Sequence, residues 1–126
     1  MEGKDLFSRV EHIGIKALNI DEGIRFYTEV LGFEFLSRMK PGETELAFLR
    51  LGETVIELVE IKEGQKFEDG LVNHLAFRAT DIQKAVVWLK KNRVMLLQEG
   101  PQSIGEGRYN IFFRGPSGEK LELFQD

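Results

Sequence analysis

The chain has only two histidines, His12 and His74, and they occupy the same slot of an internal repeat. Val10 through Ile20 reads like Val72 through Ile82: Val, His, Ala and Ile recur identically, Gly14 aligns with Ala76, and Lys16 with Arg78. Later in each half, Gly52 through Leu58 resembles Gly118 through Leu123, which sets Glu57 opposite Glu122. Each half therefore brings one imidazole and one carboxylate. Taken singly, a strand histidine is a hydrogen-bonded structural residue and a strand glutamate a solvated one. Repetition of both changes the reading, because carboxylates turned into a cavity are costly unless ionised beside a cation. A divalent metal held by His12, Glu57, His74 and Glu122 accounts for the pattern. Nitrogen and oxygen donors together suit Ni, Zn, Co, Mn or Fe(II) over Ca or Mg.

The elements that must position these four residues follow from the hydrophobic periods. Val10 to Ala17 alternates and is rich in β-branched residues, so it reads as a strand. Ile20, Gly23, Ile24, Tyr27 and Leu31 then recur at helical spacing, with Asn19 and Glu22 as a cap and Gly32 as a stop. Phe33–Lys40, Glu45–Arg50 and Thr54–Ile61 read as three strands separated by Pro41-Gly42 and Gly52-Glu53. The second half repeats this order: strand Leu71–Ala79, helix Ile82–Asn92, then strands at Val94–Glu99, Arg108–Arg114 and Glu119–Gln125. The expected fold class is α+β, with tandem βαβββ modules forming an open, curved eight-stranded cup and the helices outside. One domain spans 1–126, with module 1 at 9–61, a polar joint at 62–70 and module 2 at 71–125.

Alternation gives the facing. Ile13, Ile15 and Ala17 share one face and His12, Gly14 and Lys16 the other; Leu75, Phe77 and Ala79 oppose His74, Ala76 and Arg78 in the same way. Ile56 and Leu58 bracket Glu57, as Leu121 and Leu123 bracket Glu122. If helices cover the apolar faces, two imidazoles and two carboxylates look to the concave side. Gln102 to Gly107 reads as a flexible rim loop, since its glycines precede a strand instead of opening a helix after a Rossmann strand. Trp88, beside an apolar helix stripe, reads as packing.

Composition narrows the function classes. The 126 residues are 42% hydrophobic and 30% charged, enough apolar surface for a core and enough charge for a water-facing exterior. A net charge of -4 argues against a nucleic-acid or anionic-membrane binder, and zero cysteines remove disulfides, thiolate metal sites and cysteine nucleophiles. Glu2, Lys4, Asp5 and Arg9 interrupt the N-terminal stretch, no apolar run approaches a membrane span, and a cytoplasmic location is expected. Lys16, Arg78, Arg108 and Lys120 are candidates to steer an anionic substrate. Half of the chain is too small to bury both faces of its sheet, so pairing of modules, as a homodimer, is expected.

The segments Phe26 to Phe33, the strand around His74, and Gly115 to Leu123 resemble the vicinal oxygen chelate superfamily of glyoxalases, bleomycin-resistance proteins and dioxygenases. The similarity runs from Val10 to Phe124. Bacterial-type glyoxalase I uses a His, Glu, His, Glu ligand set, and this chain offers His12, Glu57, His74 and Glu122 in that order. The resemblance implies a metal-dependent isomerisation of a hemithioacetal, of lactoylglutathione lyase type, in which the small substrate chelates one divalent metal through two vicinal oxygens. Glu122 or Glu57 would move the proton, with Glu122 the expected base. It also implies a homodimer whose sites are built from both subunits. Alternatives within the same family are an epimerase, a thiol transferase, and a non-catalytic binding module like the bleomycin-resistance proteins.

Overall fold

A computed structural model describes residues 2–6, 8–62 and 68–126. Residues 63–67, inside the expected joint, lie outside the described residues. The chain divides into two compact units, Met1–Ile61 and Lys62–Asp126.

The first unit opens with a one-turn helix, α1 (Gly3–Leu6), that no periodic pattern announced. Strand β1 (Ile13–Ala17) follows, then helix α2 (Ile20–Arg25), which continues into a π-helical turn over Phe26–Val30. Three strands complete the unit: β2 (Glu34–Met39), β3 (Leu46–Leu51) and β4 (Thr54–Glu60). Asn19 caps α2 as expected, its Oδ1 accepting from the Glu22 amide at 2.9 Å. The expected single helix to Leu31 changes its winding instead. The Thr28 hydroxyl donates to the Ile24 carbonyl at 2.7 Å, and the Leu31 amide reaches back five residues to the Phe26 carbonyl at 3.2 Å. The wider turn seats Tyr27, fully buried, edge-on against Phe26 and Phe33. Gly32, at φ +81, ends the helical run in the left-handed conformation.

The sheet order is β1-β4-β3-β2, with β1 and β4 parallel and the other neighbours antiparallel. Ala17, Ile20, Ala47, Leu49, Ile56 and Leu58 form the core. Fully burying an aliphatic side chain of this kind contributes about 1.5–3 kcal/mol. The helix approaches the sheet closely: a Cβ on Gly23 would stand 3.1 Å from Leu58 Cδ1, so glycine is what lets α2 sit this near.

The second unit repeats the plan. Strand β5 (Leu75–Arg78) leads to α3 (Ile82–Lys91), capped by Asp81, and then to β6 (Met95–Leu96), β7 (Gln102–Gly105), β8 (Arg108–Arg114) and β9 (Lys120–Gln125). The order β5-β9-β8-β6 matches the first sheet strand for strand, again with the first and last strands parallel. Two expectations are corrected. Val94–Glu99 forms only the two-residue β6, and the expected rim loop begins as β7, paired antiparallel to β8, so the described residues hold nine strands and not eight. Gly105 and Gly107, both at positive φ, make the tight β7–β8 turn. Trp88 is 44% exposed, with Lys91 Nζ 6.0 Å from its ring, so it is only partly a packing residue. Ala79, Ile82, Val86, Leu89, Ile111, Phe113, Leu121 and Leu123 make this core. No helix among the described residues is long and apolar enough to cross a membrane.

Candidate functional site

In each unit the parallel pairing of first and last strands decides what the histidine meets. Register places Gly14 beside Glu57 and Glu57 beside Phe48; in the second unit it places Ala76 beside Glu122 and Glu122 beside Phe112. Cross-strand partners present their side chains on the same face. The histidines sit two residues before Gly14 and Ala76, on that face and just ahead of strands that begin at Ile13 and Leu75, later than expected.

The row brings each histidine to its glutamate. His12 Nε2 lies 3.7 Å from Glu57 Oε1, and His74 Nε2 lies 3.0 Å from Glu122 Oε1. Small residues at 14 and 76 leave room for the carboxylates; a Cβ on Gly14 would only touch Glu57 Oε1, at 3.7 Å. Each imidazole also meets a phenylalanine edge-on: His12 and Phe48 at 5.8 Å between centroids, His74 and Phe112 at 5.3 Å. Lys120 Nζ stands 4.7 Å over the Phe112 ring.

Phe48 and Phe112 are a third repeated pair that the sequence comparison missed, although extending the alignment of the halves through Ala47-Phe48-Leu49 and Ile111-Phe112-Phe113 finds it. Asn110 was missed for another reason: its counterpart in the first unit, by register, is Leu46. Asn110 is 7% exposed, and its Nδ2 donates to Glu122 Oε2 at 2.8 Å. Gln102 Nε2 donates in turn to Asn110 Oδ1 at 3.0 Å.

The His74 ring is held at its other nitrogen as well, with Nδ1 2.9 Å from Asn73 Oδ1. A carbonyl oxygen only accepts, so Nδ1 donates to it, and the neutral ring then offers its Nε2 lone pair on the side of the carboxylate. Two lone pairs at that distance require a proton or a cation between them. Donors bound about 2.1 Å from one ion, at an angle of about 90–110°, stand about 3.0–3.4 Å apart. The second pair matches that span at 3.0 Å; the first, at 3.7 Å, is wider than the span and has the same donor types. The pair in the second unit therefore fits a divalent metal as it stands, and the pair in the first unit fits it by chemistry and not by distance. Among the described residues no cluster of three or more His, Asp or Glu forms, so the four predicted ligands stand as two pairs, one in each unit. The remaining candidate cations behave variously. Arg78 is tied to Asp126 and Arg108 to Glu106, while Lys120 covers Phe112.

The turn into β9 is built around one carboxylate. Glu119 Oε1 accepts from the Ser117 amide at 2.8 Å, and Gly118 takes φ +93. A Cβ on Gly115 would lie 2.3 Å from Glu119 Cδ, so glycine at 115 makes room for that bond. Three residues later the same strand delivers Glu122.

Comparison with known proteins gives the family. The profile of the family described as Glyoxalase/Bleomycin resistance protein/Dioxygenase superfamily matches residues 9–123. The uncharacterized protein YwbC of Bacillus subtilis is 33% identical over 122 residues, spanning 93% of this chain and 97% of that one. Metallothiol transferase FosB of Staphylococcus epidermidis is 32% identical over 117 residues, 90% of this chain and 79% of that one. A probable lactoylglutathione lyase of Vibrio parahaemolyticus is 28% identical over 125 residues, 94% and 91% of the two chains. The crystal structure of a glyoxalase family protein from Enterococcus faecalis superposes with a TM-score of 0.80 at 27% identity, covering 94% of this chain and 98% of that one. By its repeated sheet topology and by a profile match spanning almost its whole length, the chain belongs to the glyoxalase/bleomycin resistance protein/dioxygenase superfamily.

Proposed function

We propose that the protein is a metal-dependent enzyme that shifts a proton between adjacent carbons of a small vicinal-oxygen substrate, in the manner of glyoxalase I acting on a hemithioacetal. The observation that carries this reading is the pair of His–Glu contacts at equivalent positions, His12 with Glu57 and His74 with Glu122. In this reading His12, Glu57, His74 and Glu122 are the ligands of one divalent transition metal, Ni, Zn, Co, Mn or Fe. When bound, such an ion acts as a Lewis acid that stabilises negative charge developing on the substrate's oxygens.

The chain's own groups do the rest. The two imidazoles supply neutral nitrogen donors, and Asn73 fixes the tautomer of one of them. Phe48 and Phe112 meet the two imidazoles edge-on and orient them. A carboxylate from the set takes a proton from one carbon and returns it to the next, so the substrate is isomerised with no net oxidation and the enzyme ends as it began.

The similarity to the metallothiol transferase favours a second reading, transfer of a thiol to an electrophilic acceptor. One experiment separates them. The protein loaded with Ni or with Zn is offered methylglyoxal hemithioacetals of several thiols, and in parallel the free thiols with fosfomycin. Isomerisation of a hemithioacetal is the expected result. Thiol consumption with the acceptor alone supports the transferase, and a fully metallated protein inactive in both assays overturns the enzymatic reading.

A further inference from the structure

The two halves of the repeat hold their glutamates differently. Glu122 is 10% exposed at its side chain and engaged at both oxygens: Oε1 faces His74 Nε2 at 3.0 Å, and Oε2 accepts a hydrogen bond from Asn110. Glu57 is 19% exposed, and the position that would match Asn110 is a leucine, which offers no donor. The relay behind Glu122 also has a fixed sense. A carboxylate only accepts, so Asn110 must turn its Nδ2 toward Glu122, and its Oδ1 then needs a donor on the far side. Gln102 Nε2 is that donor. Glutamine in this place is what makes the asparagine amide point the useful way.

We propose that Asn110, oriented by Gln102, is a positioning residue that latches Glu122 with Oε1 toward His74, so that the half-site in the second unit is preformed while the half-site of His12 and Glu57 stays adaptable. The latch acts through Glu122 and touches no substrate. The rim strand β7 thereby acquires a purpose: it brings Gln102 against β8 at the register where Asn110 sits, the two being cross-strand partners. A free Glu122 side chain would lose rotamer entropy on ligation; a latched one has lost it already. Partners behind metal ligands typically change metal affinity by about 10- to 100-fold.

This inference rests on the metal reading above, and its test uses Ni(II) alone and Zn(II) alone, titrated calorimetrically into the full chain without substrate. Asn110→Leu copies the arrangement of the first unit, and metal affinity is expected to fall by about 10- to 100-fold with the melting transition and circular dichroism retained. Gln102→Glu and Gln102→Met supply the reading that a merely structural role would not produce. Glutamate at 102 accepts from Asn110 Nδ2 and turns Oδ1 toward Glu122, so affinity falls, although the added negative charge by itself would raise it. Methionine removes the donor and leaves Asn110 able to face Glu122, so its effect is smaller than that of glutamate. If wild type binds metal and Gln102→Glu binds equally or more tightly, or Asn110→Leu is unchanged, the latch is overturned while the metal reading stands. If wild type binds neither ion, both fall together.

Discussion

A carboxylate that ferries a proton between neighbouring carbons has to swing, and Glu122 is held, with Oε2 accepting from Asn110 and Oε1 set against His74. Glu57 meets only His12 among the described residues, beside a glycine that leaves its carboxylate room to move. The resemblance implies Glu122 or Glu57 as the base, and at the scale of single residues we propose Glu57 in place of the expected Glu122. Glu57→Gln is expected to lower turnover by about 10²- to 10⁴-fold while the protein still binds metal, the usual cost of removing a positioned base. Glu122→Gln is expected to weaken metal binding first, with activity partly restored by excess metal. Steady-state kinetics against metal concentration for both variants check this, and the opposite pattern would restore Glu122 as the base. His12, Glu57, His74 and Glu122 were legible in the sequence because each is a polar exception repeated in an apolar strand. Asn110 and Gln102 were not, because they break the repeat: a signal found by comparing the halves cannot reveal what only one half possesses.

Elements were legible where a single period governs them. The strands carrying Glu57 and Glu122 and the helix over Ile82 to Lys91 follow the sequence pattern to within a residue or two. The departures have local causes. Thr28 bonding to Ile24 widens the helical turn, and glycines at positive φ turn the expected rim loop into a hairpin. A long-range ion pair was equally invisible: Arg114, at the end of β8, grips Asp69, ahead of β5, and also donates to the Gly118 carbonyl at 3.2 Å. This ties the approach to His74 to the turn that precedes Glu122. The Arg114 guanidinium, through its hydrogen bond, holds the Asp69 carboxyl below the usual carboxylate range. With the folded-state value below the unfolded one, the pair's contribution is present at neutral pH and is lost as pH falls through the folded value. Asp69→Asn is therefore expected to lower the melting temperature at pH 7 and to match wild type once the medium is acid enough to protonate Asp69. Melting curves of both proteins over a descending pH series measure it, and a difference that persists at the acid end would assign the effect to packing.

At the scale of the whole molecule, the four proposed ligands come as two pairs, each made entirely within one unit by the parallel pairing of its first and last strands. A four-ligand centre therefore needs one half-site of each kind, and the homodimer expected from the sequence would have two ways to supply them: both from one chain, or one from each. Chains carrying His12→Ala and His74→Ala tell the two apart, because each variant alone has lost one kind of half-site. If centres are shared across chains, a mixed dimer contains one centre missing both histidines and one wholly intact. Random pairing of an equal mixture of unfolded and refolded variants then regains about one quarter of the wild-type metal capacity and activity. If each centre lies within its own chain, every centre in the mixture lacks a histidine and nothing returns. We expect the one-quarter recovery, since the resemblance to bacterial glyoxalase I implies sites built from both subunits. Metal retained after desalting, counted per chain in the mixture and in each variant refolded alone, measures it, and a mixture no better than its components would place the whole centre in a single chain.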